Sequence, residues 1–226
     1  METEHKNLLR QAVVPSVMLA AMWLVWGAEW LSGSDFSTLG IFPRKFSGLW
    51  GILISPFIHG DLGHISSNSI PILVLGIALF SFYHKIAGQV LFILWIGTGI
   101  GVWIIARPSY HIGASGVVYS LVFFIFFSGV FRRETRAIAL ALIVALLYGS
   151  SLWGIFPIQE GVSWESHLLG ACTGIVTAFY FRKKGPEKKK YDWENEPDED
   201  SDQDETEPWN YKSLFPPPEG FGYPEK

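Results

Sequence analysis

The stretch "GASGVVYSLVFFIFFSGVF", residues 113–131, predicts a membrane-spanning helix that opens with small residues and a serine. It is long enough to cross a hydrocarbon core of about 30 Å as a helix. Ser115 stands between Ala114 and Gly116 at its beginning. A serine in a membrane helix is more often a packing residue than a nucleophile. The rest of the sequence has to decide between these two roles.

Five further apolar segments have a similar length. They are 11–31, 65–83, 88–106, 137–156 and 164–182. Charged residues make up 17% of the chain, against about 25% in ordinary soluble domains. The pattern predicts an all-α polytopic membrane protein, a bundle of six transmembrane helices.

The domain organisation follows from composition. Residues 1–10 form a short cytoplasmic N-terminus, and 11–184 form the six-helix domain. The connection 32–63 is too apolar for a solvated loop, so we expect it to lie in the membrane interface with short helical pieces. Residues 185–226 are acidic and Pro-rich, which predicts a disordered cytoplasmic tail. Residues 192–207 hold ten acids, and removing them from the net charge of −4 leaves +6 on the rest.

Lys and Arg predict the orientation of the helices. They concentrate before the first span, in the loops after the second and fourth spans, and after the sixth. By the positive-inside rule, both termini are cytoplasmic. Spans two, four and six therefore begin on the outer side, where they place the polar stretches 59–69, 113–116 and 163–174 at one depth. Polar groups in membrane helices usually face a bundle interior or a water-filled cavity.

This convergence favours chemistry over packing for Ser115. A serine hydroxyl is a poor nucleophile unless a base takes its proton, and histidine is the usual base. His167 shares one helical face with Gly170 and Gly174, and these glycines allow the sixth span to approach the fourth. Tyr119 lies one turn below Ser115 and is placed to brace the imidazole ring. The arrangement predicts a Ser–His dyad.

Two more side chains face the same predicted pocket. His64 and Asn68 are one helical turn apart and present two donors, which suits an oxyanion hole. Neither Glu165 nor Asp61 has an obvious position from which to orient His167. The sequence indicates neither a metal site nor a cofactor.

With these three stretches in place, the chain resembles the rhomboid family of intramembrane serine proteases. The resemblance covers about residues 11–182. The family motifs match Gly113, Ser115, Gly116 and Tyr119 in the fourth span, His59, His64 and Asn68 around the start of the second, and His167, Gly170 and Gly174 in the sixth.

The resemblance implies a serine endopeptidase that cleaves transmembrane proteins in or near their spans. Ser115 is then the nucleophile, and His167 is the general base and acid. The backbone N–H of Ser115 and the side chains of His64 and Asn68 stabilise the oxyanion, with His59, Gly113 and Tyr119 in support. The Trp-Arg pair common in the first loop of the family is absent here. Implied partners are transmembrane protein substrates and lipid, not nucleic acid, in a prokaryotic plasma membrane.

Two alternatives remain open. A small transporter also has Gly-rich spans and polar groups, but it is expected to show an internal repeat and polar groups near the bilayer midplane. The second alternative is a non-catalytic membrane chaperone on the rhomboid-like scaffold. Reaction of Ser115 with a phosphonate distinguishes the protease from both.

Overall fold

The computed structural model describes residues 2–133, 135–158 and 161–184. Within them the chain forms helices, turns and loops, with an isolated bridge between Ile41 and His111. The helices are, in chain order, α1 (Glu2–Ser32), α2 (Gly51–Ile54), α3 (Leu62–Phe82), α4 (Ala87–Ile105), α5 (Ser115–Arg132), α6 (Thr135–Tyr148) and α7 (Trp164–Tyr180). The predicted tail, 185–226, lies outside the described residues.

In the described part of the chain, four helices are long and apolar enough to cross a membrane. They are Leu9–Ser32 within α1, Leu62–Phe82, Ala87–Ile105 and Ser115–Arg132. These helices coincide with the first four predicted spans, and the structure confirms those four. The third of the polar stretches, 163–174, lies at the beginning of α7.

The fifth predicted span, 137–156, is corrected by the structure. Helix α6 ends at Tyr148, and Gly149–Ile155 forms a 3₁₀ helix. Glycine is a weak helix former and serine competes for backbone hydrogen bonds, so the sequence Gly-Ser-Ser at 149–151 ends the helix. The 14 residues of α6 extend about 21 Å, which is less than a full hydrocarbon core. Helix α7 has 17 residues.

Helix α5 is the centre of the bundle. It packs mainly on α7 and also contacts α3, α4 and α6. Of its most apolar window, 61% is buried, whereas only 17% of the corresponding window of α1 is buried. The first residue of this central helix is Ser115, so the serine singled out from the sequence lies at one end of the helix around which the bundle packs.

Glycines bring α5 and α7 into close contact. A Cβ at Gly170 would overlap the carbonyl of Gly116, and a Cβ at Gly174 would overlap the carbonyl of Ser120. In lipid, helix association depends on such close packing, because apolar side chains gain little from leaving an apolar solvent. The two glycines on the His167 face therefore set the distance between these helices.

The connection between α1 and α3 contains the short helical pieces that its composition predicts. Besides α2, it forms 3₁₀ turns at Ser37–Leu39, Phe46–Leu49 and Ser55–Phe57. Indole N–H groups of α4 tie it down: Trp95 Nε1 donates to Ile52 O at 2.9 Å, and Trp103 Nε1 donates to Lys45 O at 2.9 Å.

We expect Gly170→Ala to lower the thermal stability of the protein, because the added methyl group meets the Gly116 backbone. Overpacking of this kind costs about 1–3 kcal/mol. The measurement is thermal unfolding in detergent. The control is Gly27→Ala in α1, where an added Cβ has no neighbour within 4 Å. Alanine is favoured there by about 0.5–1 kcal/mol. Equal stability of the two variants would contradict the glycine contact.

Candidate active site

A tight backbone turn places Ser115 at the beginning of α5. Gly113 has φ of 97°, the left-handed region that other residues rarely adopt, and its N–H donates to Ser55 O at 2.9 Å. A Cβ on Gly113 would also overlap the imidazole of His64. Glycine is therefore required here both for the turn and for the close approach of His64.

The structure brings Ser115 and His167 together from α5 and α7. His167 Nε2 lies 2.8 Å from Ser115 Oγ, and the His167 side chain is buried. Because Gly170 and Gly174 follow His167 on the same face of α7, the close helix contact carries the imidazole to the serine. The distance is within hydrogen-bond reach, as a nucleophile and its base require.

A backbone carbonyl holds the other nitrogen of the ring. His167 Nδ1 lies 2.8 Å from Gly154 O, in the 3₁₀ helix that follows α6. A carbonyl only accepts, so Nδ1 carries the proton, and Nε2 is left to accept from the Ser115 hydroxyl. This is the tautomer that a general base needs. The sequence did not predict this role, because a backbone carbonyl has no residue signature.

Tyr119 stacks on the imidazole of His167. The two ring centroids are 4.2 Å apart, with an angle of 5° between the planes. The stacking restricts rotation of the imidazole. This is the bracing position that its place one turn below Ser115 predicts.

His64 and Asn68 face the dyad from α3. Both line the cavity that also contains Ser115 and His167. Asn68 Nδ2 donates to the main-chain oxygen of His64 at 3.0 Å, which fixes the amide and leaves a second N–H on the same nitrogen. Asp61 Oδ1 accepts from the N–H of His64 at 2.8 Å and so caps α3.

His59 lies behind His64 and has almost no exposed surface. The two rings meet edge to face with centroids 4.8 Å apart. Burial lowers the pKa of His59 to about 4, and the nearby His64 ring acts in the same direction. The neutral His59 ring accepts from the N–H of Ala114 at 3.4 Å. His59 thus supports the turn before Ser115 and does not reach the dyad by a hydrogen bond.

The candidate site is a cavity of about 670 Å³. Its walls come from the beginnings of α3, α5 and α7 and from the loops beside them. This volume lies within the range of ligand pockets, about 300–1,000 Å³.

Carboxylates make no hydrogen bond to the His167 ring in the described structure. Glu165 is buried, and its Oε1 lies 3.4 Å from Arg107 Nε instead. In residues 2–133, 135–158 and 161–184, no cluster of three or more His, Cys, Asp or Glu side chains is placed to hold a metal ion.

The four long apolar helices make the chain an integral multi-pass membrane protein. Its cavity contains a hydrogen-bonded serine and histidine. Residues 47–184 match the rhomboid domain, and the chain belongs to the rhomboid family.

Three relatives illustrate this membership. An uncharacterized protein of Mycobacterium tuberculosis (strain ATCC 25618 / H37Rv) is 37% identical over 185 residues, which are 76% of this chain and 74% of the relative. An uncharacterized protein of Mycobacterium leprae (strain TN) is 34% identical over 205 residues, 83% and 78% of the two chains. The Bacillus subtilis (strain 168) protein named "Putative rhomboid protease YdcA" is 28% identical over 140 residues, 59% of this chain and 68% of the relative.

The buried His59 predicts a pH-dependent stability. Its pKa is about 4 in the folded chain against 6.5 ordinarily, so between these values only the unfolded chain binds the proton. The free energy of unfolding therefore falls as the pH decreases from 6.5 to 4, by about 3 kcal/mol for a shift of this size. We expect His59→Gln, whose amide oxygen still accepts a hydrogen bond, to reduce the difference in thermal midpoint between pH 7 and pH 5.

His84→Gln is the matched control, since His84 is exposed. It should keep the pH dependence of the wild type. An undiminished pH dependence in His59→Gln would show that His59 does not become protonated in this range.

Proposed function

We propose that this protein is an intramembrane serine endopeptidase that cleaves transmembrane protein substrates in or near their membrane spans. The observation that carries the proposal is the 2.8 Å contact between His167 Nε2 and Ser115 Oγ inside a cavity of a rhomboid-family protein. The Gly154 carbonyl supports it further, since it selects the basic tautomer of His167.

The proposed reaction begins with acylation of Ser115. Its Oγ bonds to the scissile carbonyl carbon while its proton passes to His167 Nε2. The tetrahedral intermediate then collapses, the C–N bond breaks, and His167 returns the proton to the leaving amine. Water attacks the acyl-serine with His167 again as base. The bond to Ser115 Oγ then breaks as His167 returns its proton to that oxygen, and the acid product releases its remaining proton to solvent and leaves as a carboxylate.

The oxyanion is stabilised by donors from two helices. Because α5 begins at Ser115, the N–H of Ser115 belongs to the first turn and has no intrahelical acceptor. The positive end of the helix dipole lies at the same place. His64 and the second N–H of Asn68 line the cavity opposite and supply further donors.

We infer that the cavity opens to the outer face of a prokaryotic plasma membrane and that both termini are cytoplasmic. Helices α3, α5 and α7 all begin at the cavity. Exposed Arg133 and Lys183 follow the other ends of α5 and α7, where the positive-inside rule places the cytoplasm. We likewise propose that α6, continued by the 3₁₀ helix Gly149–Ile155, and α7 complete a bundle of six spans around this site.

The transporter alternative is less well supported. Transporter sites are formed near the bilayer midplane by broken helices. Here the polar side chains gather at the beginnings of continuous helices. The chaperone alternative does not account for the contact between Ser115 and His167, since a chaperone needs no intact dyad.

Ser115→Ala should abolish cleavage of a single-span reporter substrate and labelling by a fluorophosphonate, with thermal stability close to that of the wild type. His167→Ala should abolish labelling at Ser115 as well, because the hydroxyl loses its proton acceptor. The measurements are gel fluorescence of the labelled protein and mass spectrometry of the labelled peptide.

Cys172→Ser is the control for this pair of variants. Cys172 is an exposed thiol on α7, and its replacement should leave labelling and cleavage unchanged. Proteolysis by purified Ser115→Ala protein would refute the proposed nucleophile. A wild-type protein that resists the probe and leaves the reporter intact would favour the chaperone alternative.

Asn68→Ala should lower kcat and leave KM nearly unchanged. Loss of one oxyanion donor costs about 10²–10³ in rate in well-studied acyl-transfer enzymes, and we expect the lower end because other donors remain. Steady-state cleavage of the reporter measures both constants. Ser69→Ala, at the next position of α3, is the control. Ser69 Oγ accepts a hydrogen bond from Trp23 Nε1 of α1, and Ser69 does not line the cavity. A change in KM alone would give Asn68 a role in binding only.

A further inference from the structure

A second group of polar side chains lies beside the dyad. The His111 ring is buried, with its Nε2 3.1 Å from Arg107 O and its Nδ1 2.6 Å from Ser163 Oγ. Ser163 Oγ in turn lies 2.6 Å from Ser166 Oγ. We name these three side chains, His111, Ser163 and Ser166, the polar bridge.

When His111 is neutral, each hydrogen bond of the polar bridge is donated toward the Arg107 carbonyl. A carbonyl only accepts, so His111 Nε2 carries the proton and donates to Arg107 O. Nδ1 then accepts from the Ser163 hydroxyl, and Ser163 Oγ accepts from the Ser166 hydroxyl. Each polar atom has a partner, which is what a buried polar group needs to avoid a desolvation penalty.

Arg107 joins the same two segments a second time. Its Nη2 donates to Val162 O at 2.9 Å, and its Nε lies 3.4 Å from Glu165 Oε1. Glu165 is buried, so removal of Arg107 would leave an uncompensated charge. Both connections run from the loop before α5 to the beginning of α7.

The polar bridge stands at equivalent places ahead of the two dyad residues. His111 comes four residues before Ser115, and Ser163 comes four residues before His167. The main chain of His111 is itself fixed, because it exchanges two hydrogen bonds with Ile41, at 2.9 and 3.0 Å. Ser163 O accepts from the N–H of His167 at 3.4 Å. A shift of Ser163 would therefore also shift the first turn of α7.

The glycine contact and the polar bridge restrict different motions. Gly170 and Gly174 set the distance between α7 and α5. Packed helices can still slide or rotate against each other. A hydrogen bond across the two helix beginnings opposes that sliding, because its strength falls steeply with distance and angle.

From this arrangement we propose that His111 and Ser163 are positioning residues, which hold the His167 ring at hydrogen-bond distance from Ser115. The inference rests on the proposed function and adds residues to that same site. A misplacement of about 1 Å can cost about 10²-fold in rate. Because the helices remain packed through their glycines, removing the one hydrogen bond between His111 and Ser163 should cost little stability. The rate should therefore fall far more than the thermal midpoint.

The test compares Ser163→Ala, Ser163→Thr and His111→Phe in the full-length protein. We expect Ser163→Ala and His111→Phe to lower kcat and the fluorophosphonate labelling rate of Ser115 by about 10–100-fold, as for a misplaced catalytic group. KM should stay within about twofold, because the rest of the cavity wall persists. The thermal midpoint of Ser163→Ala should fall by only a few degrees, and that of His111→Phe should fall further because this variant removes two hydrogen bonds. Ser163→Thr keeps the hydroxyl and should restore most of the rate.

The double variant His111→Phe/Ser163→Ala should be no slower than the slower single variant, since one hydrogen bond connects the two residues. Ser81→Ala is the matched control: it removes a 2.8 Å hydrogen bond between α3 and α1 and should leave both rates unchanged. If His111→Phe fails to fold, the two Ser163 variants still decide the outcome.

The results separate this inference from the proposed function. A labelled and active wild type with unchanged rates in Ser163→Ala overturns the positioning role alone. So does a Ser163→Thr protein as slow as Ser163→Ala, or a loss of stability with kcat unchanged. A wild type that neither reacts with the probe nor cleaves the reporter overturns the proposed function, and the positioning role with it.

Discussion

The close approach of α5 and α7 is the constraint on which the site depends. Ser115 is the first residue of α5, and His167 lies in the first turn of α7. A short side chain and an imidazole can meet at 2.8 Å only if the two backbones are almost in contact. Gly170 makes that possible, because a methyl group at Gly170 would overlap the carbonyl of Gly116 and hold the helices apart. The packing that holds the bundle together in lipid therefore also forms the dyad.

The same helices separate polar from apolar surface along their length. Large apolar side chains are exposed on the outside of the bundle, such as Leu24 at 74% and Leu146 at 85%, as suits contact with lipid. Polar side chains gather where α3, α5 and α7 begin. At a helix beginning, free N–H groups and the positive end of the dipole are available without breaking a single intrahelical bond. The proposed oxyanion site thus lies at the one place where a membrane helix leaves donors unused.

The parts of the site that the sequence predicted are those carried by side-chain identity. Ser115, His167 and Tyr119 follow from residue type and helical spacing, and the structure places them in contact. The carbonyl of Gly154 could not be predicted, since every residue has one and only the fold selects which carbonyl faces the ring. The bond between His111 and Ser163 joins residues that precede α5 and α7, so no helical spacing relates them to the dyad. The early end of α6 at Tyr148 was missed because the apolar pattern continues beyond it.

The choice of a carbonyl as partner for His167 has a chemical consequence. A carboxylate in that place would both orient the ring and stabilise the imidazolium that forms when the serine proton is transferred. The Gly154 carbonyl is neutral, so it orients the ring but offers only a dipole to the positive charge. Glu165 is the nearest acid along the helix, but Arg107 already pairs with it. In the proposed mechanism, the dyad therefore relies on geometry more than on charge. On this proposal, stacking by Tyr119, the glycine contact and the polar bridge each help to hold the same imidazole in place.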